Sequence, residues 1–96
     1  MDLGNSIKNF RKKMGLTQNE FASNCGITQT YLSQIESNSK DPNLSTIKVI
    51  SSNLGIPVPV LFFVSMREED VPEHKRSAFK IIDPSIKLLV NEFFAV

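Results

Sequence analysis

Residues 16–54 read LTQNEFASNCGITQTYLSQIESNSKDPNLSTIKVISSNL, three short helical periodicities punctuated by turn residues. Thr17 is a good N-cap with Glu20 three residues on, a capping-box spacing, and Phe21, Ala22 and Cys25 give an inner face before Gly26 stops the helix. Thr28 caps a second helix. At 100° per residue, its Tyr31, Leu32 and Ile35 share an arc of about 100°, opposed by Gln29, Thr30, Ser33, Gln34 and Ser37 over about 140°. Asn38 follows at a C′ position, where asparagine tolerates the left-handed conformation. Asn43 then caps a third helix with the stripe Leu44, Ile47, Ile50 and Leu54, ended by Gly55.

The middle helix is unusual in its outer face. Solvated helix surfaces are commonly built from Lys and Glu, whereas this one offers neutral amides and hydroxyls, which suit the edges of nucleic-acid bases. Two short helices on either side of a tight turn, the second turning such a face outward, meet the physical demands of a major-groove reader.

Outward from this segment, Leu3, Ile7, Phe10 and Met14 fall at helical spacing before Gly15, which predicts a helix over residues 3–14. On the other side Pro57 starts a short helix or turn through about residue 63, with Val60, Leu61 and Phe63 placed to close the base of the core. Residues 67–73 are acidic, polar and proline-punctuated, and read as a linker. Asp83 and Pro84 then look like an N-cap and N1 pair for an amphipathic helix over residues 84–94. Its Ile86, Leu89, Val90, Phe93 and Phe94 share an arc of about 140°. Residues 75–82 add a further helical turn or two. The expected organisation is a helical domain over 1–66 and a linker with a C-terminal helical segment over 67–96.

Composition narrows the function classes. A chain of 96 residues, 41% apolar, supports one compact domain and no second catalytic one. The net charge is +1, with residues 1–66 at +2 and residues 67–96 at −1, so any basic footprint is local. Tight binding to a polyanion then calls for two copies of the chain, or for contacts from neutral side chains and backbone amides. The lone Cys25 lies on an inner helix face and reads as a buried, inert thiol, and the lone His74 has no partner at metal or triad spacing. Neither a metal nor another cofactor is expected, and no residues for an enzyme site are assembled. The longest apolar run, residues 60–64, is far short of a membrane span, so a cytoplasmic protein without a membrane partner is expected.

Laid out this way, the chain resembles the lambda-repressor-like, or XRE-type, helix-turn-helix family over residues 3–63. The motifs that carry the likeness are L-T-Q at 16–18, Ala22, G-I at 26–27, Q-T-Y-L-S-Q-I-E at 29–36, P-N-L at 42–44 and L-G-I at 54–56. The resemblance implies an all-α, five-helix DNA-binding domain, here with an amphipathic C-terminal helix added, acting in transcription regulation. It places Gln29, Thr30 and Gln34 at the base-reading positions. Gln18 matches a glutamine that bonds phosphate and braces the recognition helix. Tyr31 and Ser33 lie at the flanks, and Asn38, Lys40 and Asn43 around the loop that approaches the DNA backbone. Arg11 and Glu36 match a mostly buried salt bridge between the first and third helices, a structural role. At residues 36–38, E-S-N stands where E-R-G is frequent, which removes one phosphate contact.

The arc formed by Ile86, Leu89, Val90, Phe93 and Phe94 has two readings. It folds back on its own chain, or it pairs with a second copy; the polar segment before it favours dimerisation. A two-fold dimer requires a roughly palindromic operator on double-stranded DNA. The rival reading is an antitoxin-like module in which this helix grips a partner protein such as a toxin.

Overall fold

The computed structural model describes residues 1–94, which form six α-helices: α1 (Leu3–Lys13), α2 (Gln18–Cys25), α3 (Gln29–Glu36), α4 (Leu44–Leu54), α5 (Val58–Ser65) and α6 (Arg76–Phe94). The ends of the first four follow from local chemistry. Asp2, Thr17, Thr28 and Asn43 each accept a hydrogen bond from the backbone N–H three residues on. Thr17 and Glu20 complete the reciprocal capping box. Gly26 and Gly55 stop α2 and α4 in the left-handed conformation, at φ of 69° and 70°. Asn38 adopts the same conformation, at φ 61°, just beyond α3.

The core gathers one face of each of the first five helices. Ile7, Phe21, Leu32, Ile35, Ile50, Ile56 and Leu61 are essentially inaccessible to solvent. Phe10, Ala22, Cys25 and Leu54 complete the cluster, and Val60 and Val64 pack at its edge. Ser51 and Ser65 are buried among these apolar groups, and each hydroxyl donates to a backbone carbonyl, of Ile56 and Leu61 respectively. Burial pushes the Cys25 thiol up to about 11, in keeping with a packing role.

α1 meets α3 across Gly4. A Cβ on Gly4 would stand 2.3 Å from the carbonyl oxygen of Ile35 and 2.7 Å from that of Glu36, so only glycine permits this approach. Asn38 locks the contact: its Oδ1 accepts from the Gly4 N–H at 3.0 Å, and its Nδ2 donates to Asp2 Oδ1 at 2.7 Å.

Two expectations for the C-terminal part are corrected. α6 begins at Arg76, eight residues before Pro84, so Asp83 and Pro84 lie inside the helix. Pro84 removes one hydrogen bond, to the Lys80 carbonyl, and Lys80 is exposed, where water can supply the missing donor. Residues 67–75 are also ordered, with 3-10 turns at Glu68–Asp70 and Glu73–Lys75. Arg67 pairs with Asp2, Asp70 with the Met1 amino group at 2.8 Å, and Glu68 with Lys80 at 3.1 Å.

The apolar arc of α6 divides. Val90 is buried, and Ile86 and Phe94 are half-buried and pack against the core of the chain's own domain. Leu89 and Phe93 stay exposed, at 51% and 77%. Ile81, Ile82 and Leu88, which the sequence reading passed over, are exposed beside them.

Candidate nucleic-acid interface

The candidate site is the outer face of α3, held by the turn at Gly26 and by a chain of polar contacts that starts inside the core. Arg11 and Glu36 are buried, at 6% exposure each. The Arg11 guanidinium donates from Nε to Glu36 Oε2 at 2.7 Å and from Nη2 to Glu36 Oε1 at 3.0 Å. Its Nη1 donates to the Leu16 carbonyl at 2.7 Å, tying in the segment that leads into α2. The charges have partners, which is what makes their burial tolerable.

Glu36 also accepts from Gln18 Nε2 at 3.0 Å, and Gln18 Oε1 accepts from Gln29 Nε2 at 2.8 Å. An unbroken path therefore runs from Arg11 in α1, through Glu36 at the end of α3 and Gln18 at the start of α2, to Gln29 at the start of α3. Both ends of α3 are thereby fixed to α2. Gln29 is left with one amide proton and its carbonyl oxygen, the donor and acceptor that a base edge requires.

Gln29, Thr30 and Ser37 are exposed, and Ser33 and Gln34 are half-buried. Tyr31 is half-buried and packs at the edge of the core, while the Thr28 hydroxyl oxygen accepts its backbone N–H at 3.0 Å. The loop after α3 folds back on that helix: Ser39 and Lys40 donate their backbone N–H groups to the Gln34 carbonyl at 2.9 and 3.2 Å. Lys40 is exposed, and Asn43 is exposed with its Oδ1 bound to the Thr46 N–H at 2.8 Å as the cap of α4.

The Asn38 side-chain carbonyl oxygen accepts from Gly4 and its amide donates one proton to Asp2, so it positions α1 against α3 and keeps one amide proton for the DNA backbone. Asp2 and Gly4, which the sequence reading passed over, hold α1 against the end of α3. Asp2 accepts from the Asn5 N–H, Asn38 and Arg67, and the Asn38 and Arg67 bonds hold its carboxyl below the ordinary carboxylate range. Gly4 was detectable as an isolated glycine inside a helical pattern, a mark of close approach. Among the described residues, no group of His, Cys, Asp and Glu is arranged to hold a metal ion. Among the described residues, no single helix is long and apolar enough to cross a membrane.

Short helices α2 and α3, the left-handed turn between them and a braced polar face define a helix-turn-helix DNA-binding fold. A family model described as helix-turn-helix matches residues 7–61. The chain is 36% identical over 61 residues to the immunity repressor protein of Bacillus phage phi105, covering 64% of this chain and 42% of the repressor. It is 38% identical over 60 residues to the control protein C.MunI of a Mycoplasma species, covering 62% and 81%. To the HTH-type transcriptional regulator SinR of Bacillus licheniformis it is 32% identical over 73 residues, covering 75% and 62%. The chain thus spans about two fifths of the phage repressor and about three fifths of SinR. No solved structure matches it significantly. The chain belongs to the lambda-repressor-like helix-turn-helix family of DNA-binding transcriptional regulators.

Proposed function

We propose that this chain is a sequence-specific repressor that binds as a homodimer to a roughly palindromic operator and reads the major groove with α3. The observation that carries this reading is the neutral outer face of α3, fixed through Gln18 to a buried ion pair. Gln29, Thr30 and Gln34 read bases, since glutamine pairs in a bidentate way with adenine and a threonine methyl packs on the thymine methyl. Gln18, Tyr31, Ser33, Asn38, Lys40 and Asn43 hold the DNA backbone; these contacts set register and carry no sequence information. The protein acts by occupancy in the cytoplasm and needs no catalysis.

Dimerisation supplies the affinity that a net charge of +1 does not. Leu89 and Phe93, joined by Ile81, Ile82 and Leu88, form the surface for a second copy, exposed on a helix whose other side is seated on the core. Such a dimer sets its two recognition helices about 34 Å apart, one turn of the duplex. The same exposed stripe favours a second reading, an antitoxin-like regulator that uses it to hold a partner protein.

Selection of bound duplexes from random DNA tests the proposal, with light scattering on the free protein alongside. Enrichment of a palindrome by a stable homodimer supports it. A monomer that enriches no motif contradicts it and moves the weight to the partner-protein reading.

A further inference from the structure

Away from α3, a cleft of about 320 Å³ opens where α1, α5 and α6 meet. It lies on the side of α1 that carries Asn5, Asn9 and Lys13, about half a turn around the helix from Gly4, Ile7 and Arg11, which face α3 and the core. DNA on the α3 face therefore leaves this cleft open. Its volume is at the lower end of the range typical of small-ligand sites.

The lining has a definite chemistry. Lys13, Arg67 and Lys87 bring positive charge, and among the described residues Asp2 is the only carboxylate lining it. Asp2 is already committed to Asn5, Asn38 and Arg67. Lys87 pairs with Asp83 at 3.0 Å, whereas among the described residues the Lys13 ammonium meets only neutral groups: Asn91 Oδ1 at 2.7 Å and the Phe10 ring, 5.5 Å from its centroid. Side-chain amides of Asn5, Asn9 and Asn91 line the same cleft and offer further donors, and Phe10 and Val64 provide an apolar wall.

We propose that this cleft binds a small organic anion, its phosphate or carboxylate head on Lys13 and its apolar body against Phe10 and Val64. The head takes the place of the Asn91 carbonyl on Lys13, and the Asn91 amide, turned around, donates to it. Lys13 belongs to α1 and Asn91 to α6, so the bound anion replaces a direct α1–α6 contact with a charge-assisted bridge. Occupancy thereby changes how α6 is held on the DNA-binding domain, independently of which operator α3 reads.

Titration of the isotope-labelled full chain with phenyl phosphate, benzoate and inorganic phosphate, each at constant ionic strength against sodium chloride, tests the site by amide NMR shifts. The expected result is saturable shifts at Asn9, Lys13, Lys87 and Asn91 with phenyl phosphate or benzoate, the tighter of the two naming the head group. Lys13→Gln weakens that binding about tenfold, the loss of one charge-assisted hydrogen bond. Asn9→Leu, an exposed change that narrows the cleft without entering the core, weakens it as well. Shifts no larger than those in sodium chloride, saturation by inorganic phosphate alone, shifts confined to α3, or an unchanged titration in both variants would overturn the proposal.

Discussion

Each helix from α1 to α5 buries at least two side chains, whereas α6 buries only Val90 along its nineteen residues. The polar groups of the two regions differ in the same sense. In the first, Arg11, Glu36, Ser51 and Ser65 are buried and hydrogen-bonded. In the second, the ion pairs of Lys80 and Lys87 are partly exposed, and the buried Asp83 Oδ1 has no hydrogen-bond partner among the described residues. Burial with satisfied partners fixes α3 against α1 and α2. Exposed ion pairs each contribute about 0–1 kcal/mol and leave α6 free to answer to a second copy or to a ligand.

The comparison breaks most readily at the buried ion pair. Glu36→Ala leaves Arg11 charged and buried without its carboxylate, and should cost about 3–5 kcal/mol in urea unfolding. A loss below about 1 kcal/mol would mean that the core does not depend on the pair. Gly4→Ala comes next. Its methyl would press on two backbone carbonyls, so a cost of about 1–3 kcal/mol outweighs the gain of about 1 kcal/mol from alanine's helix propensity.

Two substitutions on α6 sharpen the contrast within one helix. Phe93→Glu should change monomer stability by no more than about 0.5 kcal/mol while abolishing self-association in sedimentation or light scattering. Val90→Glu places a charge in the core cluster and should release α6 or unfold the domain, seen as lost amide protection along the helix. Equal effects of the two would erase the distinction between the faces.

The smallest effect concerns acid. The folded Asp2 carboxyl titrates below its unfolded value, so its contribution is present above about pH 4 and is lost as pH falls through the lowered value. Asp2→Asn should lose that small contribution at neutral pH and converge on wild type as the pH falls below about 4, which flattens the acid limb. An identical acid limb in both proteins would refute the link.

Where structure is decided within a few residues, the sequence was legible. Thr17, Thr28 and Asn43 announce their caps, Gly26 and Asn38 their left-handed turns, and the stripe of α4 is buried at Ile47, Ile50 and Leu54 though Leu44, in its first turn, stays exposed. The Arg11–Glu36 pair was legible only through family resemblance, because a separation of 25 positions leaves no local trace. The roles of Asp2 and Asn38 depend on three segments meeting in space and had no local signal.

α6 shows why local rules fail in that region. Asp83–Pro84 has the chemistry of a helix start, yet residues 76–82 are helical too, and the one carbonyl Pro84 leaves unbonded belongs to exposed Lys80. The division of the apolar arc was equally hidden, since Val90 and Phe93 are both apolar and only the docking angle of the helix buries one of them.

The central claim is that the neutral face of α3 reads bases while Gln18 braces it. The most direct measurement is the affinity of wild type, Gln34→Ala and Gln18→Ala for the selected operator and for random duplex at one salt concentration. Gln34→Ala should lose about 1–3 kcal/mol on the operator and little on random DNA, with Gln18→Ala weaker on both. Equal losses on operator and random DNA for Gln34→Ala would contradict the account.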